Sequence, residues 1–221
     1  MTSSKEEIVV LLHGIGRTSG SMSVPASRLA DNGYAICNID YPSRAAPIAT
    51  LTEGVNARLQ AEKTGAYAKL HFVTHSMGGL VVRQLVKDFR PGNLGRVVML
   101  APPNRGSEVA DFLGDFTLFK MIYGAAGQDL RTGNSNFGPV DFPLGVIAGT
   151  KSIDPISSLL LPGPNDGKVT VENTKVAGMT DHIVLPVNHT FLMRDARVLK
   201  QMETFLDTGS FTSLGSESRT R

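Results

Sequence analysis

One serine of this chain stands where its hydroxyl could act as a nucleophile. The segment LHFVTHSMGGLVVRQL runs from an apolar strand pattern through Thr74-His75-Ser76-Met77-Gly78 straight into a helical pattern. A serine at so tight a strand-to-helix turn is held in a strained backbone conformation with Oγ above the sheet, and crowding favours small residues two positions to either side. Gly78 meets that demand; the branched Thr74 meets it less well. A hydroxyl is a poor nucleophile at neutral pH, so Ser76 needs a base to take its proton and a carboxylate to fix the tautomer of that base. The chain offers five histidines. His13 and His71 sit in or beside early strands, and His75 adjoins Ser76 with its side chain expected to point away from it. His182 opens the last strand pattern, whereas His189 follows that strand's carboxyl end in Pro186-Val187-Asn188-His189, where open α/β sheets meet their ligands. His189 is the expected base and His182 its alternative.

In the fold that places a nucleophilic serine on such a turn, the acid follows the serine and precedes the histidine. Asp154, Asp166 and Asp181 satisfy that order. Asp166 lies in the turn-rich loop Leu161-Pro162-Gly163-Pro164-Asn165-Asp166-Gly167, suited to aiming a side chain at a distant imidazole, although Asn165-Asp166-Gly167 also reads as a plain turn. Asp154 precedes Pro155 and reads as a helix cap, and it is the rival acid. Attack on a carbonyl creates an oxyanion that must meet preorganised N–H donors. The N–H of Met77, at a helix start, is one. The loop Leu12-His13-Gly14-Ile15-Gly16-Arg17 supplies the other through Ile15, because its glycines allow close backbone approach. His13 and Gly14 on this loop are expected at the substrate. The pair Gly14-x-Gly16 does not extend to a dinucleotide fingerprint, since position 19 is Ser.

These residues need a rigid frame. Strand-length apolar runs alternate with helical patterns, the mark of βαβ units in a mostly parallel sheet with helices on both faces, so the fold class is α/β. The strands are expected at Glu7–Leu12, Tyr34–Ile39, Leu70–Thr74, Arg96–Ala101, Leu144–Gly149 and His182–Val187, and the helices at Ser21–Asp31, Ile48–Lys63, Met77–Phe89 and Arg194–Leu206. From Asn104 to Pro143 the rhythm breaks. There Val109, Phe112, Phe116, Phe119 and Tyr123 recur at helical spacing, with Leu118, Met121 and Ile122 apolar on other sides, which fits either a core helix of an insertion or a cap over a hydrophobic pocket. In the second case Phe112, Phe116, Phe119 and Met121 line the groove. Residues 208–221 are rich in Ser, Thr and Gly and read as a flexible tail, leaving one domain over 1–207 with a small cap near 104–143.

Composition narrows the function classes. A length of 221 residues favours a single domain, and a net charge of +2 is too small for a nucleic-acid surface. Hydrophobic residues at 41% and charged residues at 19% exclude a disordered or fibrous chain. The longest apolar run, Ile8 to Leu12, falls far short of a bilayer span, and the first residues carry no signal pattern, so no integral membrane association and a cytoplasmic location are expected. The lone Cys37 reads as a packed small hydrophobe.

On LLHGIGRTS, VTHSMGGLVVR, GPNDGKVTV and LPVNHTF, in that order, the sequence resembles the small microbial serine esterases and lipases of the α/β-hydrolase superfamily. MLAPPNRGSEVAD resembles the segment of that family leading into the cap. The resemblance covers most of the chain and departs at Thr74, where most relatives carry Gly. It implies Ser76 as nucleophile, Asp166 as acid, His189 as base, and Ile15 and Met77 as oxyanion donors. It implies no metal or organic cofactor, and as substrate a small-molecule or lipid ester cleaved through an acyl-serine intermediate; short to medium acyl chains are expected because the stretch from Asn104 to Pro143 leaves room for only a modest cap. An acyltransferase or perhydrolase using the same triad, and a non-catalytic binding protein of the same fold, are the alternatives.

Overall fold

The computed structural model describes residues 6–106, 137–152 and 161–212. Six strands form one sheet: β1 (Glu7–Leu12), β2 (Ala35–Ile39), β3 (Lys69–His75), β4 (Leu94–Leu100), β5 (Leu144–Gly149) and β6 (Asp181–Leu185). They lie in the order β2-β1-β3-β4-β5-β6, and every pairing is parallel. The expected strands are all present, β1 and β5 with the expected bounds and the others with ends shifted by at most two residues. β6 stops at Leu185 because Pro186 has no N–H for the ladder.

Strand alternation divides the core. Ile8, Val10 and Leu12 face one apolar cluster while Val9 and Leu11 face the other, and β3, β4 and β5 alternate likewise. The first cluster is closed by α2 (Ile48–Ala61) and α3 (Gly78–Asp88), through residues such as Leu51, Val55, Leu80 and Leu85. The second is closed by α1 (Ser23–Asp31) and the C-terminal helix Ala196–Thr208, through Leu29, Val198, Met202 and Phe205. With both faces covered, each strand reads as a continuous apolar run. Across the second face, Arg28 and Glu203 form a two-pronged ion pair (2.6 and 2.9 Å), and Tyr34 OH donates to Asp207 (2.9 Å).

A short helix, α4 (Val171–Thr174), is an element the sequence pattern did not announce; the Thr170 hydroxyl caps it by accepting from the Asn173 N–H. The helix Ala196–Thr208, here α5, begins two residues later than expected because Asp195 caps its first turn, and it runs on to Gly209 in the left-handed region. Chain expected to begin a tail at 208 stays docked through Thr212: Phe211 packs on Phe205, its N–H donates to Asp181, and Gln201 bonds Thr212. Residues 213–221 and most of the expected cap lie outside the described residues. Among the described residues no helix is long and apolar enough to cross a membrane.

Candidate active site

The chain runs from β1 outward to β2 and then back across to β3, so the sheet reverses direction between β1 and β3. At such a switch point the carboxyl ends of neighbouring strands splay apart and leave a crevice. Two loops meet there: His13–Arg17 after β1, and the Ser76 turn after β3.

Ser76 occupies the left-handed region with φ 53°, one of three non-glycine residues with positive φ among the described residues. This strain is what the sequence pattern predicts for a serine at such a turn, and the surroundings enforce it. The Ser76 N–H donates to the Leu100 carbonyl (2.9 Å), so the β3–β4 ladder continues into the turn before α3 departs. Gly78 is obligatory, since a Cβ there would lie 2.7 Å from the Leu12 carbonyl oxygen and 2.9 Å from that of His13. Thr74 is fully enclosed and its hydroxyl has no hydrogen-bond partner, so the branched residue at that position carries the cost of a buried, unpaired polar group.

Asp166 is almost fully buried and its carboxylate is well supplied with donors. Oδ1 accepts from the backbone N–H groups of Lys168 (3.0 Å) and Val169 (2.9 Å), and Oδ2 accepts from His189 Nδ1 (2.7 Å). The His189 N–H also donates to the Asp166 carbonyl (3.0 Å), so side chain and backbone of the two residues are tied together. A carboxylate can only accept, which places the ring proton on Nδ1 and leaves Nε2 with a free lone pair. Gly149, ending β5, makes room for this: a Cβ there would lie 2.8 Å from Asp166 Cβ and would strike the Val187 carbonyl.

His189 meets the Ser76 turn at His75. Their rings lie 4.7 Å apart, and His75 Nε2 is 3.0 Å from the His189 carbonyl oxygen. Ser76 and His189 do not share a hydrogen bond in this arrangement; such contacts are often long without substrate and tighten when it binds. Burial, together with the nearby His189 and Arg17, holds His75 well below the ordinary imidazole range.

In the loop after β1, the Arg17 N–H donates to the Gly14 carbonyl (3.3 Å) and the Gly16 N–H to Ser43 Oγ (3.0 Å), with Gly16 at φ 66°. The Ile15 N–H has no partner among the described residues, nor has that of Met77, so both are available as donors. Gly14 packs directly on the turn: a Cβ would come within 3.0 Å of Ser76 Cβ and of His75 Nδ1. His13 was expected at the substrate, but its side chain is fully enclosed, and its polar atoms are engaged within the protein. Its Nδ1 donates to the Gly14 carbonyl (2.9 Å), its ring stacks on Tyr41 (4.3 Å), and Tyr41 OH donates to the His13 carbonyl (2.6 Å). His13 thus shapes the loop from behind.

Tyr41 and Ser43 were missed in the sequence. Their signal is positional, for Asp40-Tyr41-Pro42-Ser43 follows β2, the strand beside β1, and so borders the same crevice. An open groove of about 770 Å³ runs here between Arg17, Thr18, Tyr41, Ser43 and Arg44. The rival base and one rival acid are remote. His182 and Asp181 sit at the amino end of β6, where His182 bonds Thr174 Oγ1 (3.0 Å) and Asp181 accepts from the Phe211 N–H (2.7 Å). Asp154, Phe112, Phe116, Phe119 and Met121 lie outside the described residues.

Where the chain approaches the expected cap, Arg83 of α3 holds both flanks. Its guanidinium donates to the Asn104 carbonyl (3.1 Å) and the Gly138 carbonyl (2.6 Å) and lies 4.9 Å from the centre of the Phe137 ring. Burial pushes this group down to about 10.

A family model described as the alpha/beta hydrolase family matches residues 9–198. Among solved structures, the fold is similar to the mature form of the Bacillus licheniformis lipase BlEst2, at 19% identity and a TM-score of 0.67, with 91% of each chain covered. It is similar to a thermophilic esterase from Thermogutta terrifontis, at 14% identity and a TM-score of 0.66, over 94% of this chain and 92% of that one. It is also similar to the RedJ thioesterase of Streptomyces coelicolor prodiginine biosynthesis, at 16% identity and a TM-score of 0.60, over 90% and 85% of the two chains. At these identities the likeness is one of fold. No curated protein matches the sequence.

Proposed function

Starting from the finding that this chain belongs to the alpha/beta hydrolase family, we propose that it is a serine hydrolase of carboxylic esters acting through an acyl-Ser76 intermediate. The observation that carries this reading is the Asp166–His189 bond of 2.7 Å, lodged against the residue that precedes a strained Ser76. In the proposed cycle, His189 Nε2 takes the proton of Ser76 Oγ as the oxygen attacks the ester carbonyl. The oxyanion is met by the N–H groups of Met77 and Ile15, fixed before the reaction and therefore requiring no reorganisation. Collapse expels the alcohol, which receives the proton from His189, and a water activated by the same nitrogen releases the acid. Asp166 holds the imidazole in the productive tautomer and stabilises the imidazolium.

Short to medium acyl chains are the proposed substrates, because the stretch between Asn104 and Pro143 has room for only a modest cap. The test is a set of p-nitrophenyl esters of graded chain length, with fluorophosphonate labelling in parallel. The wild type is expected to hydrolyse the shorter members and take up the label at one serine, and Ser76→Ala to do neither while keeping its fold. Wild-type turnover by Ser76→Ala overturns the reading.

A further inference from the structure

We propose that His75 is a positioning residue for the base: through the hydrogen bond from its ring to the His189 carbonyl, it ties the neighbour of the nucleophile to the histidine that must deprotonate it. The inference rests on the roles given above to Ser76, Asp166 and His189, and it concerns a side chain for which the sequence suggested no part.

The geometry assigns the proton. His75 Nε2 lies 3.0 Å from the His189 carbonyl oxygen, and a carbonyl can only accept, so Nε2 carries the hydrogen. In a neutral ring Nδ1 is then a bare acceptor, and this atom is buried without a hydrogen-bond partner. The Cα of Gly14 closes that side, for a Cβ built on it would lie 3.0 Å from Nδ1. The residue is 1% exposed. A ring serving only to fill this space would be cheaper as phenylalanine, because a buried, unpaired acceptor is costly. Among the described residues, the one hydrogen bond the His75 side chain makes is with the backbone of the base.

The topology gives that bond its consequence. His189 is held by two bonds to Asp166, both within the loops that follow β5 and β6. Among the described residues, the His75 bond is the one that joins His189 to β3, the strand that ends in the nucleophile. His75 is one peptide unit from Ser76, so this link sets how far His189 Nε2 stands from Ser76 Oγ. The groups facing His75 are His189, Arg17 and His13, all neutral or cationic, and with burial they keep the ring neutral. The donor therefore persists in one protonation state while His189 cycles.

Two variants test this. His75→Phe keeps a ring against His189 but removes the donor; His75→Gln offers an amide N–H toward the same carbonyl. On a p-nitrophenyl ester, His75→Phe is expected to lower kcat between about tenfold and a hundredfold, the scale of a misplaced catalytic group. KM should change little, the pH dependence of kcat/KM should shift, and His75→Gln should recover part of the loss. A filler role would alter Tm without moving the pH profile, so kcat within about twofold of wild type with an unchanged profile overturns the proposal. If His75→Phe does not fold, ¹⁵N spectra of the wild-type imidazoles decide: a neutral His75 protonated at Nε2 supports it, and a proton on Nδ1 overturns it. Should His75→Phe behave as wild type while Ser76→Ala is inactive, this inference falls and the proposed activity stands; an active Ser76→Ala removes both.

Discussion

At the scale of single residues, the site depends on which atoms can only accept. The Asp166 carboxylate faces His189 Nδ1 at 2.7 Å and takes two backbone N–H groups on its other oxygen. Asp166→Asn keeps the shape but can turn an NH₂ donor toward Nδ1, driving the ring proton to Nε2 and removing the lone pair needed by Ser76. Turnover of a p-nitrophenyl ester is expected to fall about a thousandfold or more with little change in KM, while Asp154→Asn keeps its activity; the opposite result makes Asp154 the acid. Types and order singled out Ser76, Asp166 and His189 beforehand as candidates, because nucleophile, carboxylate and imidazole have few substitutes, and the structure joins Asp166 to His189 beside the Ser76 turn. His75 was unreadable, since its part comes from an imidazole donor reaching a carbonyl 114 residues away.

Elements succeed or fail at their close approaches. Where α3 leaves the Ser76 turn, Gly78 lets it pass against the end of β1 at distances that no Cβ allows. Gly78→Ala is expected to cost about 1–3 kcal/mol and to suppress activity by displacing the turn. Gly54 is the control: it lies inside α2 with nothing within 4 Å of a built Cβ. Gly54→Ala should raise stability by about 0.8 kcal/mol through helix propensity alone, with no effect on turnover. Denaturation midpoints of the two variants check both signs. The strands and most helices were legible because their period and stop signals are local. The helix Val171–Thr174 was not, being a single turn fixed by the Thr170 cap, too short to show a period.

For the whole molecule, acid sensitivity follows from buried histidines. His13, His71, His75 and His182 are each held below the ordinary value of 6.5, with burial the leading cause in every case. Asp40 beside His13 and Glu7 beside His71 oppose the shift without reversing it. Below pH 6.5 the unfolded chain takes up protons that the folded chain refuses, so stability present above that pH is lost as pH falls toward the depressed folded values. Each histidine contributes at most about 1.4 kcal/mol per pH unit. Tm is expected to decline from pH 7 to pH 5, and His182→Gln, far from the site, should flatten the decline; a Tm constant over that range contradicts it.

By itself, the sequence determined the α/β class, the strand-turn-helix holding Ser76 and the loops bearing Asp166 and His189, because hydrophobic period, glycine placement and scarce chemical types are written locally. Tertiary structure alone decided the order β2-β1-β3-β4-β5-β6, and with it the crevice between β1 and β3. It alone also enclosed the His13 side chain behind its loop, and brought Tyr41 and Ser43 to support that loop. Burial and the direction of a hydrogen bond depend on which strands become neighbours, and that is a property of the packed sheet.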